Sequence, residues 1–148
     1  MSGAGLIVAT KIKNEIKFVL LKGKFKDKGK LDFPKGTVDK GESIEEAAYR
    51  EAFEEADIKK EITTEVYNEW YTPLNSKQLY LKLVMINEEE LKTIKIKKNP
   101  HTGETEHEGY TLLTAKEGEK DLLYYLKGSL YWAENIITSY LRSKDERN

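Results

Sequence analysis

Two rhythms of apolar and polar residues run along this chain, one of period two and one of three to four. Residues 4–10 form an unbroken apolar run that predicts a buried strand, and residues 16–22 carry Phe18, Val19, Leu20 and Leu21 after a polar turn at Lys13, Asn14 and Glu15. The two read as a hairpin. A short strand is expected at 31–33, ended by Pro34, with Lys35 and Gly36 opening a loop. Residues 61–70 alternate moderately. Residues 78–86 alternate strongly, with Leu79, Leu81, Leu83 and Met85 set between Gln78, Tyr80, Lys82 and Val84. Further strands are expected at 94–96 and 110–114, and loops at 72–76 and 99–103.

The longer rhythm marks the helices. Ser43 stands where an N-cap belongs, Glu46 completes a capping box, and Ile44, Ala47, Ala48 and Ala52 make one narrow apolar stripe. Thr114 and Glu117 cap a second, short helix. Ser129 is the expected cap of a third, whose Leu130, Ala133, Ile137 and Tyr140 step by three, four and three. Strands, helix, strands, helix predict an α/β (α+β) fold, an α/β/α sandwich with a mixed sheet between helices.

Opposite the apolar stripe the first helix is acidic. At roughly 100° per residue, Glu51, Glu54 and Glu55 share one face with Arg50 beside them. Like charges so placed oppose helix formation, so something must compensate them. A solvated face neutralised by Arg50 and nearby lysines is one answer; a hard divalent cation gathered by converging carboxylates is the other.

The wider stretch bears on that choice. A glycine is followed after five residues by Glu, after seven more by Arg-Glu, and after two more by Glu-Glu, the positions of Gly36, Glu42, Arg50, Glu51, Glu54 and Glu55. In this the chain resembles the Nudix hydrolases, with residues 36–58 as the signature. Asp57 stands where the signature has glycine, at the end of the helix, and Asp tolerates the left-handed conformation better than most residues. Ala52 takes the aliphatic position.

The resemblance implies that Glu51, Glu54 and Glu55, with the backbone carbonyl of Lys35, hold Mg²⁺, with Mn²⁺ as a substitute. Arg50 would orient the carboxylates, and Glu42 would partner Arg50 or act as an outer ligand. Residues 104–110 resemble the Glu-His-x-x-Tyr element of diadenosine tetraphosphate hydrolases through Glu106, His107 and Tyr110. That likeness implies Glu106 as a base or further ligand and His107 as a substrate contact. Phe33-Pro-Lys-Gly36 and Gly5-Leu-Ile7 are similar to the same group, Lys77 resembles a phosphate-contacting lysine there, and Tyr80, then Trp70 and Tyr71, are the aromatics available to stack on adenine. The implied reaction is Mg²⁺-dependent cleavage of a dinucleoside polyphosphate to ATP and AMP. RNA 5′-end processing, diphosphoinositol polyphosphate cleavage and a non-catalytic nucleotide-binding module are the alternatives.

Composition narrows the field. The 148 residues, 39% of them hydrophobic, fit one domain spanning 1–148. With 25 basic and 26 acidic residues, no net field argues for nucleic acid or a membrane surface. No apolar run nears the roughly 20 residues that span a bilayer, and the N-terminus lacks a signal peptide's features, so a cytoplasmic protein without an obligate protein partner is expected. Zero cysteines leave only oxygen and imidazole as metal ligands. His101 and His107 match no zinc spacing. The lysines at 22, 24, 26, 28 and 30 form a loop that is either simply solvated or faces a polyphosphate.

Overall fold

Both faces of the first strand are buried, and the architecture follows from that. The computed structural model of the chain describes residues 2–74 and 78–146. In β1 (Gly3–Ile12), Ala4, Leu6 and Val8 enter one core while Ile7 and Ala9 enter another, all of them fully buried. A strand covered on both sides needs apolar residues at successive positions. β1 pairs antiparallel with β2 (Glu15–Lys22) through a two-residue turn, Lys13 (φ 49°) and Asn14 (φ 68°), whose left-handed geometry suits the twist of a hairpin.

The sheet adds β3 (Leu31–Asp32) beside β2, β6 (Leu79–Met85) parallel to β1, and β5 (Thr64–Tyr71) at the outer edge. β7 (Gly109–Leu113) also pairs with β2. Among the described residues, seven strands therefore mix parallel and antiparallel pairs. On one face, α1 (Ile44–Ala56) buries Ala47, Ala48, Ala52 and Ala56 against Ala4, Leu6, Val8 and Leu21. On the other, α2 (Ala115–Glu119) and α3 (Ser129–Glu146) bury Ala115, Leu130, Ala133 and Ile137 against Phe18, Leu20, Leu81 and Leu83. The expected sandwich is present.

Lys35 and Gly36 begin a strand and not a loop. β4 (Lys35–Thr37) pairs with β1 at Gly5↔Lys35 and Gly3↔Thr37. Close approach explains it, because a Cβ at Gly5 would strike the Pro34 carbonyl and Lys35. The strand expected at 94–96 is also absent. After a 3₁₀ turn at Glu88–Thr93, the Lys95 and Lys97 amides donate to the carbonyls of Ala56 (2.9 Å) and Glu55 (3.0 Å), so this backbone closes the end of α1 and does not join the sheet.

β5 reaches β6 through an irregular stretch between Glu65 and Trp70, where Tyr67 (φ 54°) and Asn68 (φ 55°) are left-handed. Lys82, only 1% exposed, holds it. Its Nζ donates to Asn68 Oδ1 (2.9 Å) and Glu45 Oε1 (3.1 Å), pairs with Glu65 Oε1 (3.0 Å) and lies 5.1 Å from the centre of the Trp70 ring. A buried ammonium is tolerable only with its protons satisfied.

The third helix does not start as expected. Its cap is the buried carboxylate of Glu119, which accepts from the Gly128 amide at 2.7 Å and the Leu130 amide at 2.9 Å, while the buried Ser129 hydroxyl has no hydrogen-bond partner among the described residues. A carboxylate satisfies free helix amides and complements the dipole better than a neutral hydroxyl. Replacing Glu119 with Ala is expected to cost about 2 kcal/mol, and Ser129→Ala well under about 1 kcal/mol. Urea unfolding of both variants checks this; a larger loss from Ser129→Ala would overturn the capping assignment.

Candidate functional site

The acidic helix is fixed at both ends before its side chains do anything. Ser43 Oγ accepts from the Glu46 amide (3.0 Å) and Glu46 Oε1 from the Ser43 amide (2.9 Å), the reciprocal capping box. At the other end Asp57 adopts φ 57°, ψ 33° and donates its amide to Ala52 and Phe53. Aspartate thus fills the left-handed position directly.

Arg50 organises what lies between. Its Nε and Nη2 form a fork on Glu42 (2.6 and 2.9 Å), Nη2 also donates to the Thr37 carbonyl (2.9 Å), and Nη1 reaches Glu51 (2.9 Å) and Glu54 (3.1 Å). The guanidinium ties the loop after β4 to the helix, and it keeps the Glu42 carboxyl below its ordinary pKa. Glu51 lies against Gly36, where a Cβ would collide with its carboxylate. Burial raises its pKa, with Arg50 opposing.

The Glu55 carboxyl is pushed far from its ordinary range. The Lys35 amide donates to its Oε1 at 3.2 Å, but burial first, then the hydrogen bond and charge of Glu106, push its pKa up to about 10. Ligand atoms of Glu55, Glu106 and His107 all lie within 4.8 Å of one another. Two carboxyls confined together, one holding a proton against its neighbour, form an oxygen-rich donor set that fits a hard divalent cation. Glu51, Glu54, Glu55, Glu106 and His107 line one open cleft of about 60 Å³ with Ile96, Lys97, Asn99 and Pro100. Residues from α1 and from the loop before β7 meet there.

The remaining candidates are distributed differently. The Lys35 ammonium, 18% exposed, pairs with Asp32 (3.1 Å) and lies over Tyr125; it is not part of the cleft wall. Burial opposes its charge, and the carboxylate of Asp32 outweighs that and raises the pKa. Tyr80 sits half-buried on β6, and Lys77 lies outside the described residues. Trp70 packs on the α1 side near Lys82, and Tyr71 packs against Trp132 at 5.2 Å. The Tyr110 hydroxyl donates to the Leu91 carbonyl at 3.2 Å. Lys24 donates to Thr105, while His101 is exposed.

Asp32 was not a sequence candidate. It is buried, accepts from the Phe33 amide (2.8 Å), and its Oδ2 faces both Lys35 and His107 Nε2 (3.5 Å). Burial would raise its pKa, but the His107 hydrogen bond and the Lys35 charge outweigh it and leave the carboxyl below its ordinary value. Its signal is a carboxylate between Leu31 and Phe33 in a strand, a position that must find a cation. Lys97 and Asn99, also missed, carry no local signal.

Against known proteins, the chain matches the family model described as NUDIX domain over residues 2–126. No curated protein matches it significantly. Among solved structures it is similar to a C. elegans Ap4A hydrolase in a binary complex, at TM-score 0.71 and 23% identity over 96% of this chain and 98% of that one. A second C. elegans Ap4A hydrolase structure gives TM-score 0.64 and 26% identity over 95% and 97%. An E. coli dihydroneopterin triphosphate pyrophosphohydrolase gives TM-score 0.57 and 17% identity over 93% and 94%. The fold is common to enzymes with different substrates.

The Glu55 shift has a pH consequence. In the folded, metal-free protein Glu55 stays protonated up to about pH 10, whereas the unfolded chain ionises it near the ordinary value of 4.5. The folded state binds the extra proton across that window, so stability falls as pH rises through it. Thermal unfolding of chelator-treated protein from about pH 6 to 9 should show a falling Tm, flattened in Glu55→Gln and by added Mg²⁺. An unchanged slope in the variant would count against this placement of the proton.

Proposed function

We propose, from the premise that this chain belongs to the Nudix family and is a Nudix pyrophosphohydrolase, that it hydrolyses a dinucleoside polyphosphate such as diadenosine tetraphosphate to ATP and AMP. The observation that carries the reading is the meeting of Glu51, Glu54 and Glu55 with Glu106 in one cleft. Its support for the substrate is the likeness to the C. elegans Ap4A hydrolases along nearly the full length of both chains, joined to the Phe33-Pro-Lys-Gly36 and Glu106-His-x-x-Tyr110 elements.

In this reading Glu51, Glu54 and Glu55, with the Lys35 carbonyl, hold Mg²⁺, which Mn²⁺ can replace. When bound, the ion neutralises phosphate charge and acidifies water. Arg50 sets the directions of Glu51, held by one carboxylate oxygen, and of Glu54, held by both. Glu106 accepts the proton of the attacking water as a phosphoanhydride P–O bond breaks, and the leaving nucleotide departs with the bridging oxygen. His107, oriented by Asp32, contacts the substrate from the cleft wall. Tyr80 serves the nucleoside and Lys77 the phosphates.

A second reading, an RNA 5′ end as substrate, is favoured by one observation. Phe25 is 73% exposed and left-handed (φ 57°) within the lysine loop, a pairing of aromatic and positive charge that suits single-stranded nucleic acid.

Product analysis with Mg²⁺, and with chelator, separates the two. The expected result is ATP and AMP from diadenosine tetraphosphate at a rate well above release from triphosphorylated or capped RNA and from a diphosphoinositol phosphate. Preference for RNA would replace the leading reading. Glu54→Gln should lower kcat by at least about 100-fold with unfolding little changed; near-normal turnover would remove this helix from metal binding.

A further inference from the structure

Four carboxylates line the cleft beside α1, and among its lining residues the only Lys or Arg is Lys97. It does not pair with any of the four. Its Nζ stands 3.5 Å from the centre of the Phe53 ring and 3.8 Å from Asp57 Oδ1, on the outer flank of the same helix. The backbone beneath it is tightly held. The Lys97 amide donates to the Glu55 carbonyl at 3.0 Å, the Lys95 amide to Ala56 at 2.9 Å, and Lys98 bridges to Thr105 just before Glu106. The position is therefore built onto the two segments that supply the carboxylates, and only the flexible side chain is free to move.

An ammonium at the rim of an acidic cleft would ordinarily form an ion pair inside it, occupying oxygens that a cation needs. Phe53, 41% exposed, offers another resting place, because the ring face attracts the charge without competing for a carboxylate. Asp57, already fixed in its left-handed conformation, adds a distant charge contact. Both attractions are weaker than charge-assisted hydrogen bonds to phosphate oxygens, so an arriving polyanion can take the ammonium from the ring.

We propose that Lys97 is a phosphate-binding residue of this site, parked on Phe53 and transferred to phosphates that extend past the ligating carboxylates. The inference rests on the reading of the cleft as a phosphoanhydride-hydrolysing site. It deepens that reading by making Lys97 a determinant of chain length. A substrate with two phosphates is satisfied at the carboxylate-bound ion, whereas a tetraphosphate has further charge that reaches the rim, and Lys97 favours the longer chain.

The experiment compares wild type with Lys97→Met, Lys97→Arg and, as a control of equal charge change, the exposed neighbour Lys98→Met. For diadenosine tetraphosphate, Lys97→Met should raise KM about tenfold while kcat moves less than about threefold, with little change for a diphosphate-bridged dinucleotide. Lys97→Arg should restore most of the loss, and Lys98→Met should show none of it. Equal effects at 97 and 98, or an unchanged KM in Lys97→Met, would overturn the proposal. Calorimetric binding of inorganic tripolyphosphate with Mg²⁺ supplies a readout independent of any nucleotide being turned over, and it too should weaken about tenfold in Lys97→Met only. If wild type binds tripolyphosphate but leaves dinucleoside polyphosphates intact, the substrate reading fails while Lys97 is still judged by that binding; equal binding in Lys97→Met rejects the residue and spares the substrate.

Discussion

A single guanidinium holds together the parts of this protein that do its chemistry. Arg50 grips Glu42 with two hydrogen bonds and the Thr37 carbonyl with a third, which locks the loop after β4 onto α1. Its remaining nitrogen reaches Glu51 and Glu54, so the element that shapes the loop also sets the directions of two carboxylates. Without that charge the acidic helix face would repel itself, and nothing would press Glu51 against Gly36. Fold and site share this one residue.

A second constraint works from the opposite wall. Asp32, Lys35 and His107 form a largely buried polar chain whose members come from β3, β4 and the loop before β7. The loop that carries Glu106 is thereby joined to the strand whose amide contacts Glu55. Carboxyls that would drift apart in solution are held close enough to share a proton. That closeness has a cost in the absence of a cation and becomes useful in its presence.

Local signals were legible wherever the chemistry is local. Ser43 with Glu46, and Asp57 at the left-handed helix end, involve neighbours within a few positions, so the sequence alone indicated each. The sandwich was legible because apolar runs covered on both faces leave few other arrangements. What escaped depends on contacts between distant residues. Glu119 caps α3 from the last position of α2, nine residues before Gly128, displacing the nearer Ser129. Residues 94–96 have a strand's pattern, yet the open carbonyls of α1 claim their neighbours' amides. β4 forms because Gly5, thirty residues earlier than Lys35, leaves room for it. Of the cleft, the helix glutamates could be read from their spacing, whereas Asp32 and Lys97 acquire meaning only once the sheet has folded.

The lysine under the bulge of β5 acts on more than its neighbours. β5 is an outermost strand, and a straight outer strand exposes unpaired amides and carbonyls that a second molecule can extend into a continuous sheet. Two left-handed residues in succession, Tyr67 and Asn68, bend this one out of line, and Lys82 keeps them bent from below. An outer strand bent in this way is a poorer template for intermolecular strand addition than a straight one.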